Sequence, residues 1–331
     1  MQRFASIQVM RALAALAVLL FHLKLLPIGY AGVDIFFVIS GFIMGSIGER
    51  EAPGDFIGRR LIRIVPLYWA VTFGMCVLSF VPGLFATFGF DAPSLIKSLL
   101  FIPYAQANGE IWPLVVPGWT LNYEMLFYLV FCLALLAQRP LTVTLLLLGS
   151  LVLAGRVVSA DNAIWRSWTD PLLLEFLGGL ILSRLDWIRG GILGGSLLVL
   201  GVIGFCVAAY IGGDTGAWRP LALGLPAFSL VSGGLALERV AAWPKLRPLE
   251  LVGDWSYSLY LLHGLALKAV EKPLGPHPWL AAPVGIGASI ALAYVSYRFF
   301  EKPVARFLRD LFLYRRGHTG PERITGREIG A

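Results

Sequence analysis

The chain has 331 residues, of which 57% are apolar and 14% charged, with a net charge of +7. An ordinary soluble domain carries roughly 25% charged residues, so this composition excludes a soluble globular protein and points to an integral membrane chain. The positive balance needs no nucleic-acid partner, because it gathers in segments that can face anionic lipid headgroups.

Apolar segments near the roughly 20 residues that cross a bilayer recur along the chain. Ten spans are expected, at 6–26, 32–48, 64–85, 119–137, 141–158, 170–185, 190–211, 219–238, 253–272 and 281–300. They make an all-α integral membrane bundle, with room for a missed or merged helix between 86 and 118. An even count places both termini on one side. Nineteen lysines and arginines fall on that side and six on the other, and cationic loops stay in the cytoplasm, so both termini are expected to be cytoplasmic.

The domain reading is a transmembrane unit, 1–303, followed by a basic cytoplasmic tail, 304–331, that anchors on the membrane surface and fades into disorder. The charged start of the first span is compatible with a cleaved leader. Its apolar run, however, is longer than a signal core and passes a histidine, so it reads as the first helix. Cys76, Cys132 and Cys206 are scattered and apolar-flanked, without the close spacing of a metal site, and read as packing residues; no metal is expected.

The first span contains "RALAALAVLLFH". Arg11 and His22 are eleven residues apart, three turns plus about 20°, so both project from one helix face about 16 Å apart. Ionisable groups inside a span are costly and by default face the bundle interior; the alternative is a snorkelling arginine and a histidine satisfied by a neighbouring helix. The second span opens "GVDIFFVISGF", with Asp34 near its outer end, where an N-capping role competes with a catalytic one. The cytoplasmic loop before the third span carries "DFIGRRLIRIVPLYW". Its Arg59, Arg60 and Arg63 suit phosphate oxygens, since guanidinium forks bind oxyanions bidentately, although a cationic anchor would look the same.

Between the third and fourth spans lies "FIPYAQANGEIWPLVVPGW". Tyr104, Trp112 and Trp119, with Tyr123 just inside the fourth span, are candidates to stack on sugar rings; an interfacial aromatic belt is the alternative. The fourth span, "WTLNYEMLFYL", brings Glu124 about a turn and a half in from the outer end. His22, Asp34 and Glu124 therefore share a depth, and a carboxylate that fixes an imidazole tautomer would make His22 a general base. His263, in "SYSLYLLHG", reads more readily as a hydrogen-bonded helix contact, and Glu301 in "FFEKP" as a structural partner of the basic loop.

These segments, with "GDWSYSLYLLHG" and "YRFFEKP", stand in an order and spacing that resemble acyltransferase family 3, the membrane-bound sugar O-acyltransferases, over about residues 5–303. The "SIQVMRALAALAVLLFH" start is most like the exopolysaccharide-acetylating branch. The resemblance implies transfer of an acyl group, commonly acetyl, from cytoplasmic acyl-CoA to a hydroxyl of a lipid-linked or extracytoplasmic carbohydrate, at a bacterial inner membrane. It also implies that Arg11 and His22 are essential, that Arg60 and Arg63 form the Arg-x-x-Arg motif, and that Trp119, Leu121 and Glu124 form the Trp-x-Leu-x-x-Glu motif. A periplasmic hydrolase-like domain found in some relatives is not expected here. Two chemistries stay open: direct attack of the acceptor, with His22 as base and Asp34 or Glu124 orienting it, or an acyl-histidine intermediate. A transporter of an acyl donor or glycan is the competing class.

Overall fold

The computed structural model describes residues 4–80, 89–212, 216–275 and 278–315, which are helices and connecting turns without a strand. The helices are α1 (Ala5–His22), α2 (Gly32–Ser46), α3 (Pro53–Leu78), α4 (Ala92–Leu99), α5 (Trp119–Leu136), α6 (Pro140–Val157) and α7 (Ala163–Trp168). There follow α8 (Leu173–Leu182), α9 (Gly191–Tyr210), α10 (Leu225–Glu238), α11 (Arg247–Asp254), α12 (Ser256–Leu274), α13 (Pro278–Ser296) and α14 (Lys302–Arg315).

Each of the ten expected spans coincides with a helix. Among the described residues, eight helical stretches are long and apolar enough to cross a membrane: Ala5–His22, Pro27–Arg50, Pro53–Leu78, Val116–Leu136, Pro140–Val157, Gly191–Tyr210, Pro220–Glu238 and Trp279–Phe312. The other two differ for physical reasons. α8 has 10 residues, about 15 Å of helix against a hydrocarbon core of about 30 Å. α12 ends in a charged stretch containing Lys268, Glu271 and Lys272.

The third span was expected to begin at 64, but α3 begins at Pro53, which occupies the first turn where its missing N–H costs nothing. The arginines therefore lie within the helix rather than at its mouth. Residues 81–88, which include the expected end of that span, lie outside the described residues. The short helix α4 falls in the 86–118 stretch where a further helix had room, whereas α7, α11 and α14 were not anticipated. α4 is set by a capping box in which the Asp91 side chain accepts from the Ser94 amide. Of the expected tail, residues 304–315 belong to α14 and 316–331 lie outside the described residues.

α1 is central, packed against α2, α10, α11 and α12. Its open N-terminus is closed by the end of α10: Glu238 accepts from the amides of Ala5 at 2.7 Å and Ser6 at 3.0 Å, placing a carboxylate on the positive end of the helix. α2 lies against α8 at backbone distance. A Cβ at Gly41 would run into the Phe176 carbonyl, and one at Gly179 into the Val38 carbonyl, the small-residue packing that brings membrane helices together. A stack of Phe37, Phe176 and Phe127, with centroids 4.5 and 4.7 Å apart, continues the core from α2 through α8 to α5. α6, α9 and α13 leave most of their apolar surface outward, as lipid-facing helices do.

Candidate active site

Two cavities lie along α1. The inner one, about 80 Å³, is lined by Arg11 of α1, Ser40 of α2, Arg60 and Arg63 of α3, Thr120, Glu124 and Tyr128 of α5, and Ser256, Tyr257 and Tyr260 of α12. Arg60 and Arg63 reach it together because residues three apart share a helix face. Arg59, turned about 100° away, does not: it is exposed and 3.6 Å from Glu51. This corrects the expectation that all three arginines form one anion site.

Arg60 is 5% exposed. It sits over the Phe56 ring at 5.4 Å and 3.7 Å from Glu51, yet its Nε and Nη2 are buried without a hydrogen-bond partner. Glu124 is the carboxylate among the groups that line this cavity. It accepts from Ser40 Oγ at 2.9 Å and from the Tyr128 hydroxyl. Three guanidiniums and one carboxylate line the chamber, with Glu51 3.7 Å from Arg60 outside its lining, and buried donors without a hydrogen-bond partner are costly.

The outer cavity is open and far larger, about 1110 Å³, and its lining includes His22, His263, Asp91, Lys97, Tyr104, Trp112, Asn162 and Lys268. Tyr104 and Trp112 thus stand where an acceptor would enter. Tyr104 is anchored to Ser98 Oγ at 3.0 Å, and Gln106 Nε2 donates to the Trp112 carbonyl at 3.0 Å. Hydrogen bonds from Ser94 hold the Asp91 carboxyl below its ordinary pKa, so it is ionised at neutral pH. Trp119 and Tyr123 do not line this cavity, contrary to expectation. Their rings pack edge to face at 5.8 Å, and the buried Tyr123 hydroxyl donates to Asp170 at 3.1 Å.

His22 ends α1 at the floor of the outer cavity. Its Nδ1 lies 2.9 Å from the Val18 carbonyl and 3.3 Å from Nε2 of His263, whose own Nδ1 lies 2.7 Å from the Tyr260 carbonyl. Carbonyl oxygens only accept, so both rings carry their proton on Nδ1, an assignment made from partners. The lone pair of His22 Nε2 is then free to take a proton.

Neither expected carboxylate orients this imidazole. Asp34, fully buried, is held bidentately by Arg219, Nε to Oδ1 at 3.1 Å and Nη2 to Oδ2 at 3.0 Å. Glu124 belongs to the arginine chamber. Shared depth along three helices did not mean shared space, because each side chain points to a different neighbour. His263, expected as a helix contact, is one, and the residue it contacts is His22.

Among the described residues, then, helices enclose a chamber lined by three arginines and, at the other end of α1, a wider cavity lined by His22 and His263. Residues 4–298 match the acyltransferase family 3 model, described as an acyltransferase domain. The chain belongs to this family and is an acyltransferase. It is 40% identical over 293 residues, 84% of this chain and 90% of the relative, to the exopolysaccharide production protein ExoZ of Rhizobium meliloti (strain 1021). It is 29% identical to the nodulation protein 10 of Rhizobium leguminosarum bv. viciae, over 86% of this chain and 84% of that one. It is also 29% identical to the O-acetyltransferase OatA of Staphylococcus aureus (strain NCTC 8325 / PS 47), over 90% of this chain and 56% of OatA. No solved structure matches significantly.

Proposed function

We propose that the protein transfers an acetyl group from cytoplasmic acyl-CoA to a hydroxyl of a lipid-linked or extracytoplasmic carbohydrate, such as an exopolysaccharide unit, at a bacterial inner membrane. The reading takes ten crossings with both termini inside and residues 304–331 as a basic surface tail. The observation that carries it is the placement of Arg11, Arg60 and Arg63 around one buried chamber, with His22 about 16 Å from Arg11 along the same helix. Guanidinium forks suit the phosphates of CoA. Tyr104 and Trp112 offer apolar faces to the C–H surfaces of a sugar. The printed names of ExoZ and OatA support polysaccharide chemistry and O-acetylation.

In the direct mechanism, His22 Nε2 takes the proton of the acceptor hydroxyl as its oxygen attacks the thioester carbonyl. The C–S bond then breaks, and the imidazolium returns the proton to the CoA thiolate. His263 Nε2, facing His22 Nδ1–H, stabilises the imidazolium while it lasts. The alternative is acyl transfer to His22 Nε2 and then to the acceptor. The test is transfer of labelled acetyl from acetyl-CoA in inside-out vesicles holding the host glycan pool, comparing the native protein with His22→Ala. Label in an alkali-labile sugar ester with the native protein only is the expected result; equal label with both would remove His22 from the chemistry. Label trapped on the protein without acceptor would select the two-step route.

A further inference from the structure

The two cavities share no lining residue, yet α1, α3 and α12 contribute to both. On α12, Ser256, Tyr257 and Tyr260 line the inner chamber, and Leu261, His263 and Gly264 the outer. Around the start of α5, Thr120 and Glu124 lie inside, and Val115 to Pro117 outside. On α12 and at the start of α5 the changeover falls within three residues, and a hydrogen bond joins the two elements there. The hydroxyls of Thr120 and Tyr260, both buried, are hydrogen-bonded at 3.2 Å. Thr120 is itself fixed by the Pro117 carbonyl at 3.1 Å, and the edge of the Tyr260 ring meets Phe36 with centroids 5.8 Å apart.

We propose that the Tyr260 side chain, latched to Thr120, is a gate between a donor chamber and an acceptor cavity, and that it must swing aside for the thioester to reach His22. The inference rests on the proposed function and adds a moving part to it. At about 80 Å³ the inner chamber is far smaller than the outer cavity of about 1110 Å³, so a donor bound at the arginines must widen it to pass its pantetheine arm. Thr120 is the fixed half of the latch and the phenol the mobile half, since a single rotamer change carries it off. The Tyr260 carbonyl also receives the His263 Nδ1–H, which ties the level of the gate to the histidine pair. Closed, it keeps water of the outer cavity from the thioester; open, it joins the two spaces.

The test uses the full chain in sealed vesicles with Cys76, Cys132 and Cys206 replaced by alanine. A reporter cysteine is placed at Ile43, which lines the inner chamber. A second goes at Gly264, where a Cβ meets nothing within 4 Å. A membrane-impermeant methanethiosulfonate is added from the side of the outer cavity. With the gate intact, Gly264→Cys reacts fast and Ile43→Cys slowly. Tyr260→Ala should bring Ile43→Cys to the rate of the Gly264 reporter. Thr120→Val, which keeps the ring and guards against misfolding of the first variant, should speed it about fivefold, the worth of one net hydrogen bond.

Acetyl transfer and acceptor-free release of acetate are measured on the same vesicles, and both gate variants should raise acetate release. Reaction at Ile43→Cys that neither variant changes, in vesicles that still transfer acetyl, would overturn the gate and leave the function standing. Opening by the variants without transfer by the native protein would establish the partition and overturn the acyltransfer reading on which its purpose rests.

Discussion

The Asp34–Arg219 pair decides between two roles that the sequence left open for Asp34. Its two hydrogen bonds are near 3 Å, Asp34 is 0% exposed and the Arg219 side chain 14% exposed. Asp34→Ala removes the bidentate partner of Arg219, and breaking a buried pair from one side costs about 3–5 kcal/mol. The slight exposure of Arg219 puts the expected loss at the lower end. At about 2–4 °C per kcal/mol for a large domain, the midpoint in detergent should fall roughly 6–12 °C. Arg219→Met should do the same. Asp34→Leu combined with Arg219→Met should cost at least about 2 kcal/mol less than the two losses added, since each single variant already breaks the pair. The assay is thermal unfolding followed by recovery of monodisperse protein, with acetyl transfer scored per folded molecule. A single variant that keeps its midpoint and loses transfer about a hundredfold would refute the structural role and return Asp34 to the chemistry of His22.

His22→Gln, which retains a hydrogen-bonding group but no base, should lower kcat by about 10²–10⁴-fold and leave CoA binding unchanged when measured by displacement of a labelled analogue. If Arg60 meets a CoA phosphate as proposed, Arg60→Ala should raise the KM for acetyl-CoA by at least about tenfold, the equivalent of 1.5–3 kcal/mol. Arg59→Ala, on an exposed surface of α3 outside the chamber, should change that KM by less than about twofold. Gly179→Val places side-chain atoms against the Val38 carbonyl and should destabilise by about 1–3 kcal/mol, read as lower yield and midpoint; Gly149→Val, with nothing within 4 Å of its Cβ, is the matched control.

Long apolar runs made the helices legible, because a span must be nearly all apolar whatever it packs against. All ten expected spans fell on helices, and most ends agreed within a few residues. The errors are local. α3 started early because Pro53 and an arginine-rich turn are good helix residues whose polarity hides them from a hydropathy count. α4 is amphipathic and lies between spans, so its signal was an Asp91 cap rather than a hydrophobic run.

The site was legible as chemistry and less so as geometry. Face arithmetic within one helix held: Arg60 and Arg63 came together and Arg59 turned away. Depth arithmetic between helices failed, because depth fixes one coordinate and leaves the azimuth of each helix free. Asp34, at the same level as His22, faces α10 and the segment before it, where Arg219 waits. Glu124, a turn and a half into α5, faces the arginines. The partner that His22 does have, His263, comes from 241 residues away, and no spacing rule reaches that far. What joins them is the tertiary pairing of α12 with α1. The consequence is mechanistic as well as structural. A carboxylate beside His22 would bind its Nδ1 proton tightly and make the ring a stronger base. An imidazole and a backbone carbonyl fix the same tautomer without bringing a buried carboxylate beside the ring.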